Sequence, residues 1–329
     1  MKPFIFHRAS TIGEAVGLAS ANGAQYYAGG TNLLDLMKHG VVEPDTVVDV
    51  RRIGTHEISR TDTGGLLIGG AATNSAIANH RLIRSHYPVL SQAILSGATT
   101  QLRNMATAGG NLMQRTRCPY YMDATFPSCN KRRPGSGCAA QEGFNREHAI
   151  FGASENCVAV HPSDMGVALA ILDAVVHVES ATGTRGIPFA HFHCLPDDDP
   201  QRDNSTRPGE LITGIELSPY RRYTNGWYLK VRDRHSYAFA LVSVAVGLTL
   251  AEGVIRSAAI ALGGVAATPW RAPTAEAALV GTRGDTARLW AAAELALEGA
   301  VPLNQNGFKI DLAKHAVVRA LRRALADSR

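Results

Sequence analysis

Residues 25–50 read QYYAGGTNLLDLMKHGVVEPDTVVDV. Residues 25–28 form a short strand, Gly29-Gly30-Thr31-Asn32 a tight polar turn, and LLDLMKHG an apolar helix ending at Gly40. TVVDV, from Thr46, is the next strand. A strand feeding a helix that returns to a β-branched strand is the pattern of parallel pairing. Toward the N-terminus, Phe4-Ile5-Phe6 adds a short apolar strand. Thr11-Ile12-Gly13-Glu14 is a capping box, with Ile12, Val16 and Ala19 at helical spacing and Asn22-Gly23 as the stop. The first fifty residues thus read β-α-β-α-β, a small parallel sheet.

Beyond residue 50 the pattern changes. Residues 57–60 and 66–68 flank TDTGG, a hairpin signal, and short helices follow at 74–78 and 89–95. Residues 97–157 are rich in Gly, Asn, Arg, Pro and Cys and read mostly as structured loop, a length that points to a functional segment. Residues 158–161 read as a strand, Pro162-Ser163-Asp164 opens the helix MGVALAILDA, and AVVHVES with RGIPF forms a hairpin about Thr182-Gly183. PDDDPQRDNSTRP at 196–208 is the best internal linker or exposed loop. From Leu229 the chain shows strand, turn at Ala251-Glu252-Gly253, and strand to Gly263-Gly264; an alanine-rich helical tail follows, with Val317, Leu321 and Leu325 on one face. The fold class is α+β: a larger N-terminal unit, then a smaller domain of antiparallel strands followed by helices.

Composition narrows the function. The chain has 329 residues, enough for about two domains, and 45% hydrophobic content builds a sizeable core. Glycine, at 32 residues, exceeds the roughly 23 expected at a usual ~7%. Net charge is +5, which suits an anionic ligand without demanding nucleic acid, and 6% aromatic content is thin for a base-stacking surface. The longest uncharged apolar run, AFALVSVAVGLTLA at 238–251, is too short to span a membrane and suits a buried strand. The N-terminal MKPFIFHRAS carries no secretory signal. Five cysteines, Cys118, Cys129, Cys138, Cys157 and the separate Cys194, are too sparse for a disulfide scaffold and read as reduced thiols, inert or metal-binding.

Five features could carry chemistry. Ala28-Gly29-Gly30-Thr31-Asn32-Leu33 lets backbone N–H groups approach a bound oxygen at a helix start, which is chemistry for phosphate; the alternative is a capped tight turn. Thr107-Ala108-Gly109-Gly110-Asn111-Leu112 repeats the theme, and a pyrophosphate has two phosphates to hold. The cysteine spacings, C-x10-C, C-x8-C and C-x18-C, match neither common zinc sites nor a ferredoxin run. Arg115, Arg117, Lys131, Arg132 and Arg133 crowd the same stretch, though, and would stabilise an anionic thiolate cluster. His191 and His193, two apart on an expected strand, are a conceivable metal pair. Ser163 and Asp164 are either an ordinary helix start or acceptors for ligand hydroxyls, and Lys230 is either an exposed strand lysine or a ligand contact. No G-x-S-x-G, H-E-x-x-H, Walker lysine or dinucleotide fingerprint is present, so the chain looks built to hold cofactors rather than to attack a substrate.

Taken together, AGGTNLLDLMK, TAGGNL, HPSDMGVALAILDA and KVRDRHSYAFALVSVAVGL resemble the flavin-binding medium subunit of the xanthine oxidase family of molybdenum hydroxylases, over nearly the whole chain. Within that family, RTRCPYYMDATFPSCNKRRPGSGC is similar to the medium subunit of bacterial periplasmic aldehyde oxidoreductases, which carries an extra [4Fe–4S] cluster. The resemblance implies an FAD-binding fold of the vanillyl-alcohol-oxidase (PCMH) type over 1–218. Two α/β subdomains, 1–53 and 54–218, make it up, with an iron–sulfur segment at 115–158, and a C-terminal flavoprotein domain covers 222–329. It implies FAD against Ala28, Gly29, Gly30, Thr31, Asn32, Leu33, Leu34, Leu36, Thr107, Gly109, Gly110, Asn111 and Gln114, with Asp164 on FAD hydroxyls and Lys230 near the flavin ring. Cys118, Cys129, Cys138 and Cys157 become cluster ligands and Cys194 the spare. It further implies a heterotrimer. A large subunit would hold molybdopterin cytosine dinucleotide and oxidise aldehydes to carboxylic acids. A small subunit would hold two [2Fe–2S] clusters, and electrons would leave this chain's FAD for a small-molecule or protein acceptor. The compartment expected is the periplasm, by export alongside a signal-bearing partner, or the cytoplasm. A self-sufficient flavin oxidase would need acid–base residues that are not visible, and a zinc-stabilised binding module would use the basic patch alone.

Overall fold

The computed structural model describes residues 1–20, 23–219 and 223–326; Asn22 of the expected helix stop, and residues 220–222 at the junction of the two expected domains, lie outside them. β1 (Ile5–Arg8), α1 (Ile12–Ala19), β2 (Ala24–Tyr27), α2 (Leu33–Lys38) and β3 (Thr46–Asp49) build the parallel three-stranded sheet in the order β1-β3-β2. Ala15 and Val16 of α1 pack on Val48 and Val50. Thr11 caps the helix by accepting the Glu14 N–H, but the Glu14 carboxylate reaches back to the N–H and hydroxyl of Ser10, one residue earlier than a capping box predicts.

The second sheet is antiparallel throughout. β4 (Ile58–Arg60), β5 (Leu66–Gly69), β6 (Val175–Ser180), β7 (Gly183–Pro188) and β8 (Leu211–Leu217) take the order β4-β5-β8-β6-β7, so both expected hairpins are present. Between β5 and β6 lie α3 (Asn74–Asn79), α4 (Arg81–His86), α5 (Pro88–Ser96), α6 (Thr100–Met105), α7 (Ala108–Leu112), α8 (Pro119–Met122) and α9 (Asp164–Ile171). The early part of the expected 97–157 loop is therefore helical. Thr99 and Thr107 each cap a helix there, too short for periodicity to show.

In the C-terminal part, β9 (Asn225–Val231), β10 (Val242–Ala251), β11 (Val254–Gly263) and β12 (Trp270–Arg271) form an antiparallel sheet. α10 (Pro273–Leu279), α11 (Thr286–Ala296) and α12 (Phe308–Ala326) cover it, and Val317 and Leu321 of α12 face its core as the tail pattern predicted. Every residue of α9 is buried, against α5 on one side and β10 and β11 on the other. A helix apolar all round belongs inside, and this one brings Asp164, its first residue, to the seam between the two units. Among the described residues no helix is long and apolar enough to cross a membrane.

Two expectations are corrected. Residues 158–161 join no sheet; the chain there is held by single backbone bonds such as His161 N–H to Ala266 O. His191 ends a 3-10 turn and is exposed, whereas His193 is buried, so the two share no face. Of the two readings of 196–208, linker or exposed loop, the loop holds: the segment is largely exposed, leads back into β8 of the same sheet and docks on the cysteine segment, where Lys131 Nζ donates to Pro200 O and pairs with Asp203.

The cysteine segment is fastened to the C-terminal unit by buried donors. Lys309 Nζ donates to the carbonyls of Glu147 (3.0 Å), His148 (2.8 Å) and Gly264 (2.6 Å), and Asn306 Nδ2 to those of His148 and Ala149. In a Lys309→Met variant, Glu147 and Gly264 lose the donor that Lys309 supplied in a dry site. The expected cost is about 2 kcal/mol, or roughly 5 °C in Tm by calorimetry on the purified chain.

Candidate cofactor sites

The two Gly-Gly loops meet. Asn32 Nδ2 donates to Gly110 O at 3.3 Å. The first loop is held close to the end of α6: a Cβ on Gly29 would lie 1.9 Å from Met105 O, and Gly30 takes φ +72°, the left-handed region. Among the described residues, the N–H groups of Gly29, Gly30, Thr31 and Asn32 donate to no protein acceptor. Four successive unspent donors about a left-handed glycine make a concavity suited to an anion.

The second loop differs from the sequence expectation. Its Gly109 N–H donates to Gly70 O, Gly110 N–H to the Thr107 hydroxyl and Asn111 N–H to Thr107 O, so its amides are spent inside the protein. What it offers is shape and side chains. A Cβ on Gly110 would touch only Thr107 Oγ1, at 3.1 Å. Asn111 Oδ1 accepts from the Ser163 hydroxyl at 2.5 Å and from Gln114 Nε2 at 3.1 Å. Leu33 and Leu34 are half-buried, while Leu36 is buried and packs on Tyr121 and Cys129.

Ser163, which caps α9, carries the polar track on to Asp164. Asp164 Oδ2 pairs with Lys230 Nζ at 2.7 Å and Oδ1 accepts from the Tyr228 hydroxyl at 2.6 Å. Lys230 is not the exposed strand lysine; its side chain is 3% exposed and that of Asp164 8%. Burial, with the Asp164 charge beside it, pushes the Tyr228 hydroxyl well above its ordinary pKa. Tyr228 had no signal in the sequence beyond its place on an apolar strand.

The four clustered cysteines line one cavity together with Asn130, Lys131 and His148, and Cys194 does not reach it. All five are free thiols. Cys129 and Cys138 face each other on an isolated antiparallel bridge, and Cys157 sits in a turn closed by Ser154. Burial pushes Cys118 up to about 12 and raises Cys157, against the pull of the Lys131 charge. Such thiols keep their protons unless a cation displaces them. Among the described residues, no three His, Cys, Asp or Glu groups converge on a point fit for one metal ion. The four sulfurs surround a space instead. His148 reaches Cys118 Sγ with Nε2 at 3.1 Å; burial, and then the Lys309 charge, pull it down to about 4. No motif or spacing singles out His148 from the residues alone. Neither the conceivable His191–His193 metal pair nor a surface strand is formed; His193 makes a buried contact with His161, ring centroids 4.1 Å apart, and burial pulls both well below their usual range.

The two sites adjoin. Arg117, beside Cys118, donates to Asn32 Oδ1 at 2.9 Å and pairs with Asp35. A second cavity, running from Arg117 past His161 to Ser163 and Asp164, shares Thr116, Cys118 and His148 with the first as a common wall.

The same architecture occurs in known proteins. The family described as the FAD binding domain in molybdopterin dehydrogenase matches residues 2–219, and the CO dehydrogenase flavoprotein C-terminal domain matches 227–326. The chain is 47% identical, over the full length of both, to the aldehyde oxidoreductase FAD-binding subunit PaoB of Escherichia coli. It is 25% identical to the carbon monoxide dehydrogenase medium chain of Afipia carboxidovorans, covering 99% of this chain and 98% of that one. Among solved structures, a reconstituted CO dehydrogenase from Oligotropha carboxidovorans superposes with a TM-score of 0.77 over 99% of both chains at 25% identity. Quinoline 2-oxidoreductase from Pseudomonas putida superposes with 0.76, also over 99% of both and at 25% identity. Two family matches that together span nearly all of the chain, on a fold whose Gly-Gly loops converge beside a buried acid–lysine pair, establish that it belongs to the FAD-binding subunits of the molybdenum hydroxylases.

Proposed function

We propose that this chain is the FAD- and [4Fe–4S]-carrying electron-transfer subunit of an aldehyde-oxidising molybdenum enzyme. Its partners are a large subunit with molybdopterin cytosine dinucleotide and a small subunit with two [2Fe–2S] clusters. The aldehyde assignment is supported by the 47% identity to an aldehyde oxidoreductase FAD-binding subunit. The observation that carries the flavin site is the row of unspent N–H donors from Gly29 to Asn32, opposite the open face of Gly110.

In this reading the amides of Gly29, Gly30, Thr31 and Asn32 bind the pyrophosphate, and Gly110 leaves room for it. Asn111, held by Ser163 and Gln114, orients the second loop. Asp164 accepts from FAD hydroxyls through the lone pairs that Lys230 and Tyr228 leave free, and Lys230 keeps positive charge near the ring. Cys118, Cys129, Cys138 and Cys157 each hold one iron, which suits sulfurs arranged around a space. Lys131 and Arg115 offset the cluster's negative charge. When bound, the cluster exchanges single electrons and FAD exchanges one or two, so the pair supplies the link between one-electron relays and an external acceptor. The chain's own residues bind, orient and shield these groups, which is why no nucleophile or catalytic base is needed here.

Anaerobically purified protein should contain about one FAD and about four each of iron and sulfide per chain. FAD without iron would remove the cluster from the proposal. A Gly110→Asp variant sets a carboxylate beside the first loop, its Cβ tight only against Thr107 Oγ1, and its flavin absorbance is expected to fall to near zero in folded protein. Gly110→Ala adds only a methyl and should lose far less. Full flavin content in the aspartate variant would refute the placement of the pyrophosphate.

A further inference from the structure

We propose that His148 donates a hydrogen bond to the Cys118 sulfur and thereby raises the reduction potential of the iron–sulfur cluster; the inference rests on the cluster reading above. Nε2 lies 3.1 Å from Cys118 Sγ, inside a buried wall of the cysteine cavity. A ring proton on Nε2, facing the sulfur, is what makes this contact a hydrogen bond. A cluster-bound thiolate is only an acceptor, which fixes the direction of the bond.

The ring is also held in place. The His148 carbonyl accepts from Asn306 and Lys309, and its N–H donates to Asn145 O at 3.1 Å. The Tyr121 N–H is bonded to the Cys118 carbonyl at 3.0 Å, and His148 reaches the sulfur itself with a side chain that can be changed. One-electron reduction adds negative charge that spreads onto the sulfurs, and a donor to sulfur favours the more negative state. Removing it should lower the potential. Because His148 also walls the cavity that leads to Ser163 and Asp164, the tuning acts on the side of the cluster that faces the proposed flavin site.

The test is a redox titration, followed by electron paramagnetic resonance, of the anaerobically purified full chain carrying His148, His148→Phe or His148→Gln. All three should keep their iron. The phenylalanine variant should be about tenfold harder to reduce, about 59 mV lower for one electron, and glutamine, whose amide N–H takes the place of Nε2–H, should recover most of the shift. Equal potentials in wild type and His148→Phe, or equal losses in both variants, would overturn the inference while leaving the cluster in place. If the phenylalanine variant loses iron, pulsed resonance on wild type labelled with 15N-histidine decides: one histidine nitrogen with an exchangeable proton should couple to the reduced cluster, and its absence refutes the bond. Wild type without iron would overturn the cluster reading itself, and this inference with it.

Discussion

On the proposed function, a Cys138→Ser variant is expected to lose nearly all of the roughly four irons proposed per chain. Cys138 is held opposite Cys129 by a short, well-braced hairpin. Asn130 N–H donates to Gly137 O at 2.8 Å, Gly137 N–H returns to Asn130 Oδ1 at 2.8 Å, and Cys129 N–H donates to Ser136 Oγ at 3.0 Å. Gly135 and Gly137 take φ of +78° and +91°, which other residues adopt only with strain. The PGSG turn thus fixes two of the four sulfurs before any iron arrives. A serine there keeps the hairpin but offers a poor ligand for iron, so the loss should be one of coordination, with the chain still folded. Cys194→Ser is the control. Its N–H is tied to Asp203 O and it does not reach the cavity, so iron should stay at the wild-type level. Unchanged iron in Cys138→Ser would strike that residue from the ligand set.

The strongly periodic parts of this fold were legible and the short or long-range parts were not. The parallel sheet, both hairpins, β10 with β11, and the buried α9 follow from apolar runs and the turn residues between them. Helices α6 and α7 are too short for a period to appear, and Thr99 and Thr107 were the only signals. Alternation misled at His191 and His193, because Pro188 leads into a 3-10 turn there. The two Gly-Gly loops look alike as sequence, yet one keeps its amides free and the other spends them on Gly70 and Thr107. Where an amide donates depends on the fold around it, which two adjacent glycines do not encode. Lys309 and Asn306, more than 150 residues from His148 in sequence, brace the cysteine segment through carbonyls, and backbone acceptors leave no trace in residue identity.

Replacing Asp164 by asparagine is expected to cost about 3 kcal/mol or more, a fall of roughly 7 °C in Tm. The change keeps the shape and can still accept from Tyr228, but leaves the Lys230 ammonium without its counter-charge where its side chain is only 3% exposed. Lys230→Met should do similar damage by stranding the carboxylate. Combining the two removes both charges, and the double variant should regain much of the lost stability, a coupling of about 2 kcal/mol that a double-mutant cycle would read. The cycle also separates bracing from binding. If the pair only braces the start of α9 against β9, FAD affinity should return together with stability. The proposed function expects otherwise. Asp164 accepts from FAD hydroxyls and Lys230 places its charge near the ring, so the refolded double variant should still bind FAD tenfold or more weakly, as expected for losing a charged hydrogen-bond partner. Recovery of both would leave the pair a purely structural role and move the flavin contacts elsewhere along the seam.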